Sequence, residues 1–313
     1  MTTAWLFDVG LALLVLAIAS WTITVRDAFA AVIGFVVYGL LLALVWVRLA
    51  AVDVALTEAA IGGGLAGTLL LGAVARLGVH EVTVDHPRVG TRLTVALLSA
   101  IVAAGLATAV LFLPDKAPTL APAAAENAAA TGLGNPVTNV LMAFRAMDTL
   151  LEKVVLLLAL VGVWSLAIDR NWGGRPGHRY PIDPHGTLAF LARILPPIGI
   201  VVGIYILWVS ADEPGGAFQG GTILAAMWVL IMMSGLSDAP PIGNRRLRLA
   251  LLAGPLVFLI VGLGGLALGD AFLAYPVAYA KPLILAIEFA MTLTIAATLG
   301  LLLAGPPERR IGS

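Results

Sequence analysis

Cysteine is absent from this 313-residue chain, and that absence excludes disulfides, thiolate-held zinc and iron–sulfur clusters. Histidine is scarce: four residues, all in polar stretches and none at metal-ligand spacing. Charge is also scarce, at 12% of residues, where soluble domains carry about a quarter. Lys and Arg balance Asp and Glu at 18 each, so nothing points to nucleic acid or to a polybasic membrane-surface protein. No nucleotide-binding motif, haem or metal constellation, or nucleophile–base pair stands out, and no cofactor is expected.

What is present is apolar. Hydrophobic residues make up 60% of the chain, and mean hydropathy is +1.02. That composition belongs to a membrane-embedded chain rather than to a soluble domain with a large core. Uncharged runs at 28–47, 93–113, 194–211, 214–237 and 249–269 each approach the ~20 residues that cross ~30 Å of hydrocarbon. Admitting runs with one or two charges gives nine expected helices, at about 4–25, 28–47, 51–75, 93–113, 137–168, 188–210, 215–236, 249–269 and 280–305. The expected fold class is all-α and polytopic. The N-terminal stretch lacks a basic region and a small-residue cleavage site, and reads as the first membrane helix rather than a removable signal.

Polar stretches at 76–92, 114–136 and 169–187 punctuate the chain and divide it into blocks 1–92, 93–186 and 187–313, with no clear internal repeat. Alternate loops carry twelve and three Lys or Arg residues. Placing the richer side in the cytoplasm puts the N-terminus outside and the C-terminus inside.

Six ionisable residues fall inside expected spans: Glu58, Arg145, Asp148, Glu152, Lys153 and Glu288. An Asp, Lys or Arg at mid-helix costs about 2.5–3.5 kcal/mol on insertion scales, so each needs a partner or a use. In "LMAFRAMDTLLEKVVLLLAL", Arg145, Asp148 and Glu152 follow i, i+3 and i+4 spacing and share one stripe. Arg145 can pair with Asp148 and leave Glu152 at the inner end of a polar track. Lys153 lies about 100° round the helix, off that stripe. The bland alternative is an over-long helix whose charged half projects into water.

Glu58 sits in "VDVALTEAAIGGGLAGTLLL", deeper than Asp53, which lies near the membrane boundary. Gly62, Gly63, Gly64 and Gly67 follow it, and suit close helix packing or local unwinding. Glu288 lies about two turns beyond Lys281 and Pro282 with no sequence-local partner. In "SADEPGGAFQGG", Pro214, Gly215, Gly216, Gly220 and Gly221 forbid a continuous helix between the sixth and seventh spans. Such backbone persists at membrane depth only where protein buries it or a cavity adjoins it; a plain turn is the simpler reading.

These stretches resemble subunits of the Mrp-type cation/proton antiporter and membrane-bound hydrogenase family, joined end to end. "DVALTEAAIGGGL" is similar to the MbhD-like module. "NPVTNVLMAFRAMDTLLEKVVLLLALVGVWSL" is similar to the MbhE-like module, and "DEPGGAFQGGTILA" to the MnhB (Mrp B, MbhF-like) signature. The resemblance implies three, two and four helices in blocks 1–92, 93–186 and 187–313. It also implies a non-enzymatic subunit of a sodium(cation)/proton antiporter or complex I-related pump in a prokaryotic inner membrane. Its partners would be large antiporter-like subunits, and any redox chemistry would lie in those partners. Glu58 matches the family's intramembrane Glu, and Arg145, Asp148 and Glu152 match its Phe-Arg, Asp-Thr and Glu pattern. The chain departs from the family at Ala143 (usually Asp), Leu151 (usually Gly), Ala211 (usually His) and Ala217 (usually Gly), and Lys153 follows the Glu. Lost Asp and His remove polar groups from an expected sodium path. Two other readings stay open: a scaffold that docks such subunits without conducting, and an autonomous transporter, for which inverted repeats are missing.

Overall fold

The computed structural model describes residues 3–77, 88–114, 118–177, 183, 185–269 and 271–309. The stretch 78–87, and Lys116, Arg179 and Arg310 of the charge count, lie outside the described residues.

Apolar runs bounded by polar caps become helices in chain order. They begin with α1 (Thr3–Thr24), α2 (Ala28–Arg48), α3 (Val52–Thr57), a π-helical stretch (Glu58–Ala66) and α4 (Gly67–Leu77). Then come α5 (Val89–Leu111), α6 (Ala121–Asn127), α7 (Pro136–Asn139), a second π-helical stretch (Val140–Phe144) and α8 (Ala146–Trp164). The last four are α9 (Thr187–Val209), α10 (Ala217–Met233), α11 (Arg245–Leu268) and α12 (Ala280–Ala304). Helical structure falls on every range expected from hydropathy. Among the described residues, seven helical segments are long and apolar enough to cross a membrane, and α10 is a shorter apolar helix. The chain is a polytopic all-α membrane protein.

Caps set several starts. Asp27 accepts from the Ala30 N–H at 2.6 Å, and Asn244 accepts from the Arg246 N–H at 2.9 Å. Asn135 caps α7, with Pro136 at its first position.

The fifth expected helix, 137–168, is not continuous. After the π turn, Arg145 leaves helical geometry (φ −128°, ψ 35°), and α8 starts afresh at Ala146 and ends at Trp164. The break frees the Leu141 carbonyl, which accepts from the Thr149 hydroxyl at 2.6 Å. A part-buried backbone carbonyl has thereby found a side-chain partner.

α12 is the hub. It packs against α10 and α11 and also meets α8 and α9. Ile284, Ile287, Met291, Ile295 and Leu299 are fully buried there, with Phe258 of α11. Small residues set the spacing. A Cβ at Gly220 would lie 2.7 Å from the Gly203 carbonyl oxygen, and one at Gly221 would lie 2.7 Å from Ile295 Cγ2. So α9, α10 and α12 approach more closely than side chains at those positions allow. α1 packs on α2, and α2 packs on the first π stretch, where a Cβ at Gly39 would meet the Gly63 backbone at 2.9 Å. α5 differs: none of its residues is buried against the rest of the chain. A short antiparallel ribbon pairs β1 (Arg175–Pro176) with β2 (Pro307–Arg309).

Candidate ion site beneath the broken hairpin

Three separate stretches meet at one cavity of about 370 Å³. Asp53 and Thr57 come from α3, Glu152 and Lys153 from α8, and Glu288 from α12; the hairpin residues Gly215 to Gln219 cover one side.

The hairpin between α9 and α10 holds two of the carboxylates. Its Gly215 N–H donates to Asp53 Oδ1 at 2.9 Å, and the Ser210 hydroxyl donates to Glu288 Oε2 at 2.6 Å. The Ala217 N–H, in the first turn of α10, also faces the Glu288 carboxyl. An acidic group at a helix N-terminus meets free N–H groups and the positive end of the dipole. Pro214 and the two glycines expose those donors by breaking the helix. Gly215 has no room for a side chain, since a Cβ there would lie 2.3 Å from the Ile206 carbonyl oxygen.

The hairpin is itself tied to the segment before α7. The Ala211 carbonyl accepts from the N–H groups of Gly134 (2.9 Å) and Asn135 (3.1 Å). Thr138 donates to the Ser210 carbonyl at 2.7 Å, and Asn135 Nδ2 donates to the Glu213 carbonyl at 3.0 Å and to Asp53 Oδ1 at 3.4 Å. Asp212 lies between α9 and α10, outside the spans, and Lys281 Nζ in the first turn of α12 lies 2.8 Å from both its carboxylate oxygens. That ammonium holds the Asp212 carboxyl below the usual carboxylate range.

The charged stripe of α8 is divided. Arg145 and Asp148 form their i, i+3 ion pair, but on the open side of the helix: Arg145's side chain is 69% exposed. They do not line the cavity. Glu152 does, with part of its carboxylate open. Lys153 behaves otherwise than its place off the stripe suggests. It is 3% exposed, its Nζ lies 3.1 Å from Glu152 Oε1, and it sits 4.4 Å from the centroid of the Phe218 ring. Adjacent helical residues do not normally face each other. Here Lys153 points inward to α10 and Glu152 bends across to meet it, because a buried ammonium requires an anion.

Glu58 opens the first π stretch, one residue after Thr57. It does not line this cavity; its carboxylate folds over Gly62, where a Cβ would lie 2.1 Å from Oε1. Gly62 thus makes room for Glu58, while Gly63 packs against Leu40 and Val36 of α2. Ala211 and Ala217 are both buried.

Sequence reasoning places Asp53 at the membrane boundary and gives it no part. The structure buries it at the cavity, beneath the hairpin. A signal is available in the spacing: Asp53 and Thr57 are i, i+4 and share one helix face. Among the described residues, no group of three His, Cys, Asp or Glu is arranged to hold a metal ion.

Comparison with known proteins agrees with this architecture. Residues 13–79 match the MbhD family of MBH components. Residues 187–305 match the family described as a domain related to the MnhB subunit of Na⁺/H⁺ antiporter. An uncharacterized Methanocaldococcus jannaschii protein, MJ1307, is 29% identical over 154 residues, covering 44% of this chain and 59% of its own length. The Mrp complex of Dietzia sp. DQ12-45-1b contains a chain that superposes with a TM-score of 0.74 at 23% identity, over 97% of this chain and 35% of that one. The membrane-bound sulfane sulfur reductase, an archaeal respiratory complex, contains a chain with a TM-score of 0.55 at 23% identity, over 67% of this chain and 95% of that one. This chain therefore spans about three fifths of the archaeal relative and about a third of the Dietzia chain. It joins a region that matches the MbhD family and a region that matches the MnhB-related family in one polypeptide, and so has the make-up of a fusion of Mrp-type and membrane-bound-hydrogenase-type modules.

Proposed function

We propose that this chain is a membrane subunit of a multi-subunit Mrp-type cation/proton antiporter, or of a related ion-pumping complex, and that it contributes intramembrane carboxylates to the ion path. One observation carries the proposal: Asp53, Glu152 and Glu288, from three distant stretches, converge on one half-open cavity in an otherwise apolar bundle. Acidic groups at that depth are expensive, and a shared polar cavity is where they are tolerated and useful. The broken hairpin that holds two of them is irregular backbone beside a cavity, the setting in which such backbone survives in a membrane.

In this reading the energy comes from its partners, which are large antiporter-like subunits, and any redox chemistry resides there. The assembly sits in the prokaryotic cytoplasmic membrane, with lipid against the exposed apolar faces. The modules follow blocks 1–92, 93–186 and 187–313. The Arg145–Asp148 pair sets the electrostatics of the approach to Glu152.

The test is transport by the assembled complex in liposomes after Glu152→Gln and, separately, Glu288→Gln. Both should assemble with unchanged subunit composition and lose ion coupling. Normal turnover per intact complex in both would leave only the scaffold reading.

A further inference from the structure

Among the described residues, Lys153 is the one cation on the wall of a cavity that otherwise presents the carboxylates of Asp53, Glu152 and Glu288. Its place is built. The ammonium is held by Glu152 on one side and lies over the face of Phe218 on the other, at 3.1 and 4.4 Å. A carboxylate and an aromatic face together are a recognised setting for a desolvated cation. Phe218 is brought there by the same hairpin that caps Asp53 and Glu288. An ammonium is a compact point charge on a flexible stem, with three donors. Its charge equals that of an alkali ion, and hard alkali cations seek oxygen ligands such as the Glu152 carboxylate beside it.

We propose that Lys153 is a tethered substitute for an alkali cation. With its ammonium in place the cavity binds no sodium, and its carboxylates exchange protons alone. Two cations in so small a space would repel each other strongly, and the second would find Glu152 already neutralised. The inference rests on the ion-path reading above and names the ion that the path admits.

The experiment uses the assembled complex with the full-length chain. Thermal unfolding is followed in sodium chloride against choline chloride at equal ionic strength. Wild-type complex should unfold at the same temperature in both salts. Lys153→Met, which keeps the apolar stem and removes the charge, should gain a saturable sodium-specific rise in midpoint. That rise should fit one apparent sodium affinity, where wild type shows no sodium-dependent rise at all. Adding Glu152→Gln should abolish the gain. Lys153→Gln, which can still donate to Glu152, serves as the second neutral variant and should behave as Lys153→Met does.

The inference is overturned if either assembled neutral variant unfolds identically in the two salts. It is equally overturned if wild type already shows a sodium-specific shift that the variants leave unchanged. These failures are distinct from failure of the path itself, which shows as normal transport by the Glu152→Gln and Glu288→Gln complexes whatever their salt response.

Discussion

Ser210 and Glu288 are 78 residues apart in sequence, yet the Ser210 hydroxyl donates to Glu288 Oε2 at 2.6 Å, with both residues buried. One bond thus fastens the last turn of α9 to the middle of the hub helix, next to the candidate ion cavity.

Ser210→Ala removes that donor but leaves the Ala217 N–H facing the same carboxyl. A net loss of about 1 kcal/mol is expected, because the second donor limits the damage. Thermal unfolding of the complex checks it. Unchanged stability together with unchanged transport would show the bond to be incidental.

Asp53 offers a sharper contrast. Asp53→Ala strands the buried Gly215 N–H and removes an acceptor for Asn135, and should cost about 1–3 kcal/mol. Asp53→Asn keeps an acceptor oxygen and should assemble more nearly as wild type does. Comparing the protease resistance of the two complexes separates lost bonding from lost charge.

Gly221→Val should be among the most damaging single changes in α10. Its Cβ would lie 2.7 Å from Ile295 Cγ2 and 3.2 Å from the Thr292 carbonyl oxygen. Neither helix can yield without disturbing the hub, so overpacking costs about 1–3 kcal/mol. Lower yield of folded complex is the expected readout.

Gly62→Ala should behave differently, although its Cβ would lie closer still to its neighbour, at 2.1 Å. The obstacle is the end of the flexible Glu58 side chain, which can swing away. The helix should fold normally while the Glu58 carboxylate is redirected. If Glu58 takes part in transport, Gly62→Ala and Glu58→Gln should slow it to similar extents in complexes of normal stability.

Asp212 and Lys281 give a pH signature. The folded-state pKa of Asp212 is depressed, so its stabilising contribution is present above the unfolded carboxylate value near 3.8 and is lost as pH falls through the lower folded value. Both side chains are more than one-third exposed, so solvent screening holds the contribution to roughly 0.2–1 kcal/mol. Asp212→Asn should flatten that acid limb slightly, and added salt should mimic it.

Hydropathy makes the helices legible, since a bilayer demands long apolar runs and hides little. Charge inside those runs singles out Glu152 and Glu288, and the Pro-Gly-Gly break singles out the hairpin that reaches them. Burial direction is harder to read. Helical spacing groups Arg145 and Asp148 with Glu152, but spacing does not say which face meets a neighbour, and the break at Arg145 resets the register. Lys153 falls off the stripe because adjacent residues diverge on a helix; its long stem and the pull of Glu152 overcome that divergence. Asp53 is hidden by its position near the end of a span, where a charge costs little in sequence-based accounting. The π turns carry no composition of their own, although three successive glycines make one easy.

α5 has a consequence of a different kind. A helix that buries nothing against its own chain owes its shape to internal backbone bonds and to whatever surrounds it. It can enter the bilayer and become fully helical before any other part of the polypeptide has found its neighbours. The segments on either side of it can then fold on separate schedules, coupled through the cavity only once the last helix of the chain arrives.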